Sequence, residues 1–156
     1  MCDPDVRRYL PGGQPLTREQ AERSVHHFIA YWHTNQMGSF AIIQQADDIM
    51  IGQCGLEIVP GMDGEVEVHY ALAKAYWGQG FAPEAARACL RYGFEVLNLP
   101  QIVALFMPEN KASEKVMLKL GMTYQGVRAA YDTELPCYVL ARDDFDPGDA
   151  PYTLTP

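Results

Sequence analysis

The stretch EVEVHYALAKAYWGQGFAPEAARACLRYGFEVL, residues 65–97, decides the fold class of this chain. Its first residues alternate between charged or polar side chains and apolar ones, which is the period of a strand with two different faces. Gly78 and Gly80 follow, and Pro83 then suits the first turn of a helix, because the N–H that proline lacks would have no partner there. An apolar strand at 101–107 comes next. This order predicts a crossover unit whose two strands lie parallel or splayed.

The rest of the chain predicts further helices and strands in one domain. Thr17 and Gln20 have the spacing of a capping box, so a helix is expected to begin there and to end near Asn35. The other predicted elements are strands at 39–45, 49–59, 65–72, 101–107, 123–127 and 135–142 and helices at 83–97 and 111–120. The fold class is therefore α/β (α+β), with one domain over residues 1–145 and a loose tail at 146–156 that has little apolar surface to bury.

Composition and charge limit the class of protein. At 156 residues, with 48% apolar and 21% charged residues, the chain has the composition of a soluble globular domain. A net charge of −8 argues against a nucleic-acid partner, which needs a basic face for phosphates. The same charge is compatible with a cationic substrate such as an amine.

Apolar runs and cysteine spacing predict the cellular setting. No apolar run is long enough to cross a membrane, and the N-terminus lacks the features of a signal peptide, so we expect a cytoplasmic protein with no membrane partner. The four cysteines, Cys2, Cys54, Cys89 and Cys137, show neither metal-ligand nor redox spacing. We therefore expect reduced thiols and no metal site.

The glycine turn at 78–82 has two interpretations. It is either a tight turn that only shapes the chain, or a phosphate-binding turn, because a helix N-terminus leaves about four N–H groups unpaired and carries roughly half a positive charge. Two common phosphate motifs are excluded. A Walker A loop needs Gly-Lys followed by Ser or Thr, which the chain lacks. A dinucleotide-binding turn needs a third glycine or alanine where Pro83 stands, and it lies in the first βαβ unit of a domain.

Four segments together resemble a known family. Residues 65–97, VALFMPENKASEKVMLKLGMTYQG (103–126), DPDVRRYL (3–10) and IGQCGL (51–56) resemble the Gcn5-related N-acetyltransferases (GNAT), in particular the RimJ/RimL-like (Acetyltransf_3-type) acetyltransferases. The resemblance covers roughly residues 3–142 in the right order and spacing. It implies a mixed, mostly antiparallel twisted sheet flanked by helices, with splayed central strands, and it implies acetyl-CoA as cosubstrate.

The resemblance also implies where acetyl-CoA binds. Backbone N–H groups of the glycine turn would hold the pyrophosphate. Gly80 and Ala82 match the family pattern Gln/Arg-x-x-Gly-x-Gly/Ala, while Trp77 stands where glutamine or arginine is commonest. Backbone groups of Leu72 and Ala73 would pair with the pantetheine arm as an added strand does. The implied cofactor-binding residues are Leu72, Ala73, Trp77, Gly78, Gln79, Gly80, Phe81, Ala82 and Asn110. Asn110 is equally suited to capping the helix that follows it.

Acetyl transfer to an amine needs a base, donors that stabilise the developing oxyanion and an acid for the leaving thiolate. Glu67 stands where RimL-like relatives have a glutamate; it is either the base, with a pKa raised by burial, or a solvated acid on a strand face. His69 shares its face and is either a second base or a space-filling side chain. Many relatives have a tyrosine acid where this chain has Met117, so Ser113 is the candidate acid, or else it satisfies backbone amides of its helix. Tyr70 is expected to point into the core.

The sequence therefore predicts an acetyl-CoA-dependent N-acetyltransferase. It would move an acetyl group directly to a primary amine, either a protein N-terminus or a small amine. Two alternatives stay open: a non-catalytic acyl-CoA-binding module of the same fold, and an interaction domain that uses the glycine turn structurally. Relatives begin with a strand ahead of the segment matched by residues 3–10, so that strand is expected to be absent. The sheet edge it leaves uncovered would favour a homodimer.

Overall fold

The computed structural model of the protein describes residues 3–10 and 12–149. The helices are α1 (Pro4–Arg7), α2 (Arg18–Asn35), α3 (Phe81–Arg91) and α4 (Lys111–Lys119). The strands are β1 (Ser39–Gln44), β2 (Ile49–Ile58), β3 (Val66–Leu72), β4 (Gln101–Leu105), β5 (Thr123–Ala130) and β6 (Thr133–Ala141). The predicted order of elements is confirmed, with the short helix α1 added.

The strands form one six-stranded sheet in the order β1-β2-β3-β4-β6-β5. All neighbouring strands are antiparallel except β3 and β4, which are parallel. The pairing of β3 with β4 is restricted to Glu67 and Val103, so the two strands separate beyond that point. The predicted mixed sheet with splayed central strands is therefore confirmed.

The backbone of β3 leaves polar groups facing the gap between β3 and β4. Ala73 donates its N–H to the Ile51 carbonyl at a donor–acceptor distance of 2.8 Å, across the β2–β3 ladder. Because successive residues of an antiparallel strand point their N–H and C=O groups to opposite sides, those of Tyr70 and Leu72 point toward β4. The gap is thus lined on one side by main-chain donors and acceptors.

Two apolar clusters fix the faces of the sheet. The larger one lies under α3 and α4 and includes the fully buried Leu56, Ala86, Leu90, Ile102 and Met117. The smaller cluster is formed by Val59, Val103, Ala130, Leu135 and Cys137. Since Ile102 and Val103 are neighbours on one strand, the two clusters occupy opposite faces. The face that carries Val103 is also the face of Glu67.

The long helix predicted at 83–97 begins earlier and changes form. It starts at Phe81, which places Pro83 in its first turn, and α3 ends at Arg91. A π-helical turn, Tyr92–Val96, then continues it, with the Leu97 N–H bonded to the Tyr92 carbonyl at 3.1 Å. Within that turn Gly93 packs so closely that an added Cβ would lie 2.6 Å from the Ile102 side chain.

Helix α2 begins at the predicted capping box. Thr17 Oγ1 accepts from the Gln20 N–H at 3.2 Å, and Gln20 Oε1 accepts from the Thr17 N–H at 2.8 Å. No residue of α2 is buried. The helix therefore depends on its cap and on a few contacts of one face, such as the bond from the Trp32 indole N–H to the Ser39 carbonyl at 2.9 Å.

We expect Thr17→Ala to lower the free energy of unfolding by about 1 kcal/mol, because it removes one half of the capping box. Urea unfolding followed by circular dichroism measures this loss. Thr34→Ala is the matched control, since the Thr34 hydroxyl bonds only to the Ala30 carbonyl within the helix. Equal losses in both variants would contradict a specific role for the cap.

Both ends of the chain extend beyond the described residues. Of the predicted tail at 146–156, residues 150–156 lie outside the described residues, as does Cys2. Arg87 bonds to the Asp146 carbonyl at 2.5 Å, so the segment just after residue 145 contacts α3. The predicted domain boundary, the absence of a first strand and the homodimer stay predictions. Within 3–10 and 12–149, no helix combines the length and apolarity needed to span a membrane.

Candidate functional site

Two cavities meet at the gap between β3 and β4. The helix-side cavity, of about 540 Å³, lies between the start of α3 and one face of α4. The sheet-side cavity, of about 480 Å³, is lined by the polar face of β3 and extends to Phe28 of α2. Both cavities are lined by Tyr9, Leu10, Tyr70, Ala71, Asn110 and Ser113. A molecule in one cavity can therefore reach a molecule in the other.

The start of α3 is open to an anionic ligand. Gly78 and Gly80 have φ values of +74° and +93°, in the left-handed region that favours glycine, and an added Cβ at either would meet nothing within 4 Å. Gly80 is the N-cap residue and no side chain caps the helix. The first N–H groups of α3 thus face the helix-side cavity without a side-chain partner. This arrangement fits a phosphate group.

A row of lysines lines the same cavity. Lys111, Lys115 and Lys119 recur every four residues on α4, which places them on one face of the helix. Lys111 is paired with Glu114 at 3.0 Å. This row was not predicted from the sequence, although its i, i+4 spacing is visible there. The row adds positive charge opposite the helix N-terminus.

The helix-side cavity is lined by most of the residues that the resemblance implied for cofactor binding: Leu72, Trp77, Gly78, Gly80, Phe81, Ala82 and Asn110. Ala73 and Gln79 do not line it. The Ala73 N–H is occupied by Ile51, and the Gln79 side chain donates to the Ala75 carbonyl at 2.8 Å. The Trp77 indole N–H donates to the Leu72 carbonyl at 2.8 Å and thereby braces the turn against the end of β3.

Asn110 fits both of its interpretations. Its Oδ1 accepts from the Ser113 N–H at 3.2 Å, which is a helix cap. It also lines both cavities. Capping fixes the direction of the first turn of α4, and so it fixes where Ser113 lies.

Glu67 is buried in the sheet-side cavity, with 6% of its surface exposed, which excludes the solvated alternative. Burial raises the pKa of Glu67 to about 7, and the nearby charge of Glu57 adds to this rise. A hydrogen bond from the Tyr131 hydroxyl opposes it. Glu57 lies directly opposite Glu67 in the β2–β3 register. A carboxylate with a pKa near neutrality is well matched to accept a proton at physiological pH.

His69 lies in the same cavity but is less suited to be a base. Burial lowers the pKa of His69 to about 4, so the ring is neutral at physiological pH and binds a proton weakly. Its Nε2 lies 3.7 Å from Glu57 Oε1 and 3.5 Å from Ser39 Oγ. Sequence reasoning did not find Glu57 or Tyr131, which the fold brings to Glu67 from other strands and turns.

Two substitutions should move the pKa of Glu67 in opposite directions. Tyr131→Phe removes a bond that favours the carboxylate, so the pKa should rise, whereas Glu57→Gln removes a like charge, so it should fall. Carboxyl-detected NMR over a pH series measures both changes. Glu95→Gln is the control. Glu95 lies on the π-helical turn and pairs with Arg91, so its loss should leave the Glu67 titration unchanged. A shift of the same sign in both variants would contradict these causes.

The start of α4 carries the remaining candidates. Ser113 lines both cavities, and its role as the acid stays a prediction. Met117 is buried, with 1% of its surface exposed, and has no proton to donate. Tyr70 packs against the core as expected, yet it also lines both cavities. Its hydroxyl is buried without a hydrogen-bond partner among the described residues.

Within residues 3–10 and 12–149 no cluster of three or more His, Cys, Asp or Glu side chains has the arrangement of a metal site. Cys54, Cys89 and Cys137 are free, buried thiols.

Comparisons with known proteins agree with the fold. The Acetyltransf_3 family model, described as an acetyltransferase (GNAT) domain, matches residues 1–123. The chain belongs to the GNAT acetyltransferases. The predicted family and the predicted enzyme class, a GNAT-type N-acetyltransferase, are thus confirmed.

Individual relatives share most of the chain. An uncharacterized N-acetyltransferase, p20 of Bacillus licheniformis, is 32% identical over 130 residues, which is 83% of this chain and 73% of that protein. The spermidine N(1)-acetyltransferase of Escherichia coli K12 is 29% identical, over 72% of this chain and 73% of that protein. The crystal structure of a GNAT-family acetyltransferase from Bacillus anthracis superposes with a TM-score of 0.76 at 27% identity, and covers 91% of this chain and 84% of that one.

Proposed function

We propose that this acetyltransferase moves the acetyl group of acetyl-CoA directly to a primary amine. One observation carries the proposal: two cavities meet at the gap between β3 and β4, with a phosphate-fitting helix start in one and the buried Glu67 in the other. The helix-side cavity is the donor site in this proposal, and the sheet-side cavity is the acceptor site.

The donor site would hold acetyl-CoA by three kinds of contact. Main-chain N–H groups at the start of α3 bind the pyrophosphate. The lysine row of α4 supplies positive charge for the phosphates. Main-chain groups at the end of β3 face the gap and pair with the pantetheine arm as an added strand does, while the Leu72 carbonyl keeps its bond from the Trp77 indole N–H. We assign no such contact to the Ala73 N–H, because Ile51 already accepts from it.

The acceptor site favours an amine that arrives as a cation. Glu57 and Glu67 face each other across neighbouring strands, and the buried Glu67 and half-buried Glu57 carboxylates attract an ammonium group. Phe28 adds an apolar wall, which suits an aliphatic chain. The similarity to a protein named for spermidine is consistent with a small aliphatic amine, so we place this class ahead of protein N-termini.

Each residue has a limited chemical task. When bound, acetyl-CoA supplies an acetyl group activated as a thioester. Glu67 accepts a proton from the acceptor ammonium, which frees the nitrogen lone pair for attack. The Leu72 N–H, at the edge of the gap, is the candidate donor to the thioester oxygen. Ser113 is the candidate donor to the sulfur, and no covalent enzyme intermediate is needed.

Calorimetry with acetyl-CoA, followed by turnover measurements, tests the proposal. Binding, and CoA release that depends on an amine, are expected; the panel contains diamines and polyamines, aminoglycosides and peptides with free N-termini. Chromatographic detection of CoA avoids interference from protein thiols. Absence of binding at millimolar acetyl-CoA would refute the donor site. Binding without turnover on any amine would favour the non-catalytic acyl-CoA-binding module instead.

A further inference from the structure

We infer that Tyr70 is a positioning residue: its hydroxyl holds the Ser113 side chain so that the serine O–H points at the sulfur of the reacting thioester. This inference rests on the proposed function, since it assigns roles at the junction of the donor and acceptor sites. It adds to that proposal a residue that the sequence pattern assigned to the core.

The first observation is a hydroxyl that lacks a partner. The Tyr70 oxygen is buried and forms no hydrogen bond with any described residue. Leaving a buried hydroxyl unpaired destabilises a protein, and phenylalanine would fill the same space without that loss. A tyrosine at this position therefore calls for a role that only its hydroxyl can perform.

The second observation is the position of Ser113. Both residues line both cavities, and Ser113 is close enough to oppose part of the effect of burial on the Tyr70 pKa. The two hydroxyls do not have hydrogen-bonding geometry here. In the inferred pairing, the Ser113 oxygen is the acceptor of the Tyr70 O–H.

This pairing fixes the direction in which the Ser113 O–H points. A serine on a helix can donate its single proton to a carbonyl of the preceding turn, which turns the O–H away from a ligand. When the Ser113 oxygen accepts from Tyr70, its own proton stays available for the sulfur. Burial raises the pKa of Tyr70 to about 12, so the phenol stays protonated and keeps a proton to donate. Met117 has no O–H group and cannot make this donation in place of Tyr70.

The Tyr70 and Ser113 hydroxyl groups both keep their protons during acetyl transfer. The acceptor ammonium gives one proton to Glu67. Its nitrogen then bonds to the acetyl carbon and the carbon–sulfur bond breaks, with the electron pair left on sulfur. The second N–H proton passes through water to that sulfur, which yields the amide and the CoA thiol. The Ser113 O–H donates a hydrogen bond to the sulfur while negative charge develops on it.

A double-mutant cycle in the full chain tests the inference. Tyr70→Phe should lower kcat about tenfold, which is the size expected for one hydrogen bond, with KM for acetyl-CoA changed less than about twofold. Ser113→Ala should lower kcat about 10²- to 10³-fold, as does the loss of a donor to a developing anion. The double variant should be no slower than Ser113→Ala alone, because Tyr70 acts only through Ser113.

A second readout does not depend on turnover. The ultraviolet absorbance of the thiolate reports the ionisation of CoA bound to the protein over a pH series. The pKa of the bound thiol should rise in Tyr70→Phe and in Ser113→Ala, and by the same amount in the double variant as in Ser113→Ala.

Two control variants separate the inferred role of Tyr70 in catalysis from an effect on protein stability. Tyr92→Phe removes a tyrosine hydroxyl that bonds to the Gln36 carbonyl at 2.7 Å, away from both cavities, and should lower the melting temperature but not kcat. Tyr70→Phe should leave the melting temperature unchanged or raise it. Ser24→Ala, on exposed α2, should leave both unchanged.

Three results would overturn the inference. Unchanged kcat in Tyr70→Phe would remove its role, and losses that add in the double variant would show that Tyr70 acts independently of Ser113. A folded Tyr70→Phe that fails to bind acetyl-CoA would make Tyr70 a binding residue. If the wild type itself fails to bind acetyl-CoA, the proposed function fails and this inference fails with it.

Discussion

Glu67→Gln is expected to lower kcat/KM for the best amine acceptor by about 10²- to 10⁴-fold, the usual contribution of a positioned base. Glutamine keeps the size of the side chain and its bond with Tyr131 but cannot accept a proton. In the wild type, kcat/KM should rise as the pH passes through about 7, because the carboxylate is the active form. That rise should be absent from the variant. Steady-state kinetics between pH 5 and 9 in a constant-ionic-strength buffer provide the measurement.

Glu134→Gln, at an exposed position of β6, is the matched control for this variant and should keep both the rate and its pH dependence. A Glu67→Gln enzyme with the wild-type pH profile would exclude Glu67 as the base. His69→Gln would then be the next variant to measure.

Stability gives an independent test of the same carboxyl group. Because the folded protein raises the pKa of Glu67 above its usual value of 4.5, the folded state binds this proton more tightly than the unfolded chain does. The resulting stabilisation is fully present below pH 4.5 and is lost as the pH rises through about 7. The stability advantage of Glu67→Gln over the wild type should therefore grow across that interval.

Gly80→Val is expected to weaken acetyl-CoA binding about 10- to 100-fold, where each factor of ten corresponds to about 1.4 kcal/mol. The added side chain would project into the open space in front of the first N–H groups of α3, where the pyrophosphate is proposed to lie. A valine at a φ of +93° is also strained. Calorimetric titration with acetyl-CoA measures the affinity.

Gly61→Val separates strain from binding. Gly61 has a φ of +77° and open space around an added Cβ, but it lies in the turn between β2 and β3 and lines neither cavity. It should lower the melting temperature to a similar extent and leave the affinity unchanged. Equal losses of affinity in both variants would mean that strain alone explains the result, and the glycine turn would lose its proposed role.

The sequence was sufficient for the fold because the deciding signals are local. The alternation of charged and apolar residues in β3, the capping box at Thr17 and the proline near the start of α3 each act over a few residues. The π-helical turn at Tyr92–Val96 was not predictable in this way. Its residues continue a helical pattern, and nothing local distinguishes a π-helical turn from further turns of an α-helix.

The candidate site was only partly predictable, because its contacts join residues that are far apart in the chain. Glu67 could be placed on a strand and aligned with relatives, but its pKa depends on Tyr131, which is 64 positions away in the chain. For Tyr70, alternation correctly predicted a side chain on the helix-covered face. That Tyr70 and Ser113 line the same cavities depends on how α4 packs against β3, and no spacing rule encodes that.

The restricted pairing of β3 with β4 has a mechanical consequence. The sheet consists of two three-stranded halves, β1-β2-β3 and β4-β6-β5, whose ladders are joined only where Glu67 meets Val103. A ligand that enters the gap as an extra strand supplies backbone pairing that the polypeptide does not make for itself. The proposed base lies at the junction of the two halves. Loading of the donor site, as proposed, would therefore stiffen the same seam of the sheet that holds the Glu67 carboxylate.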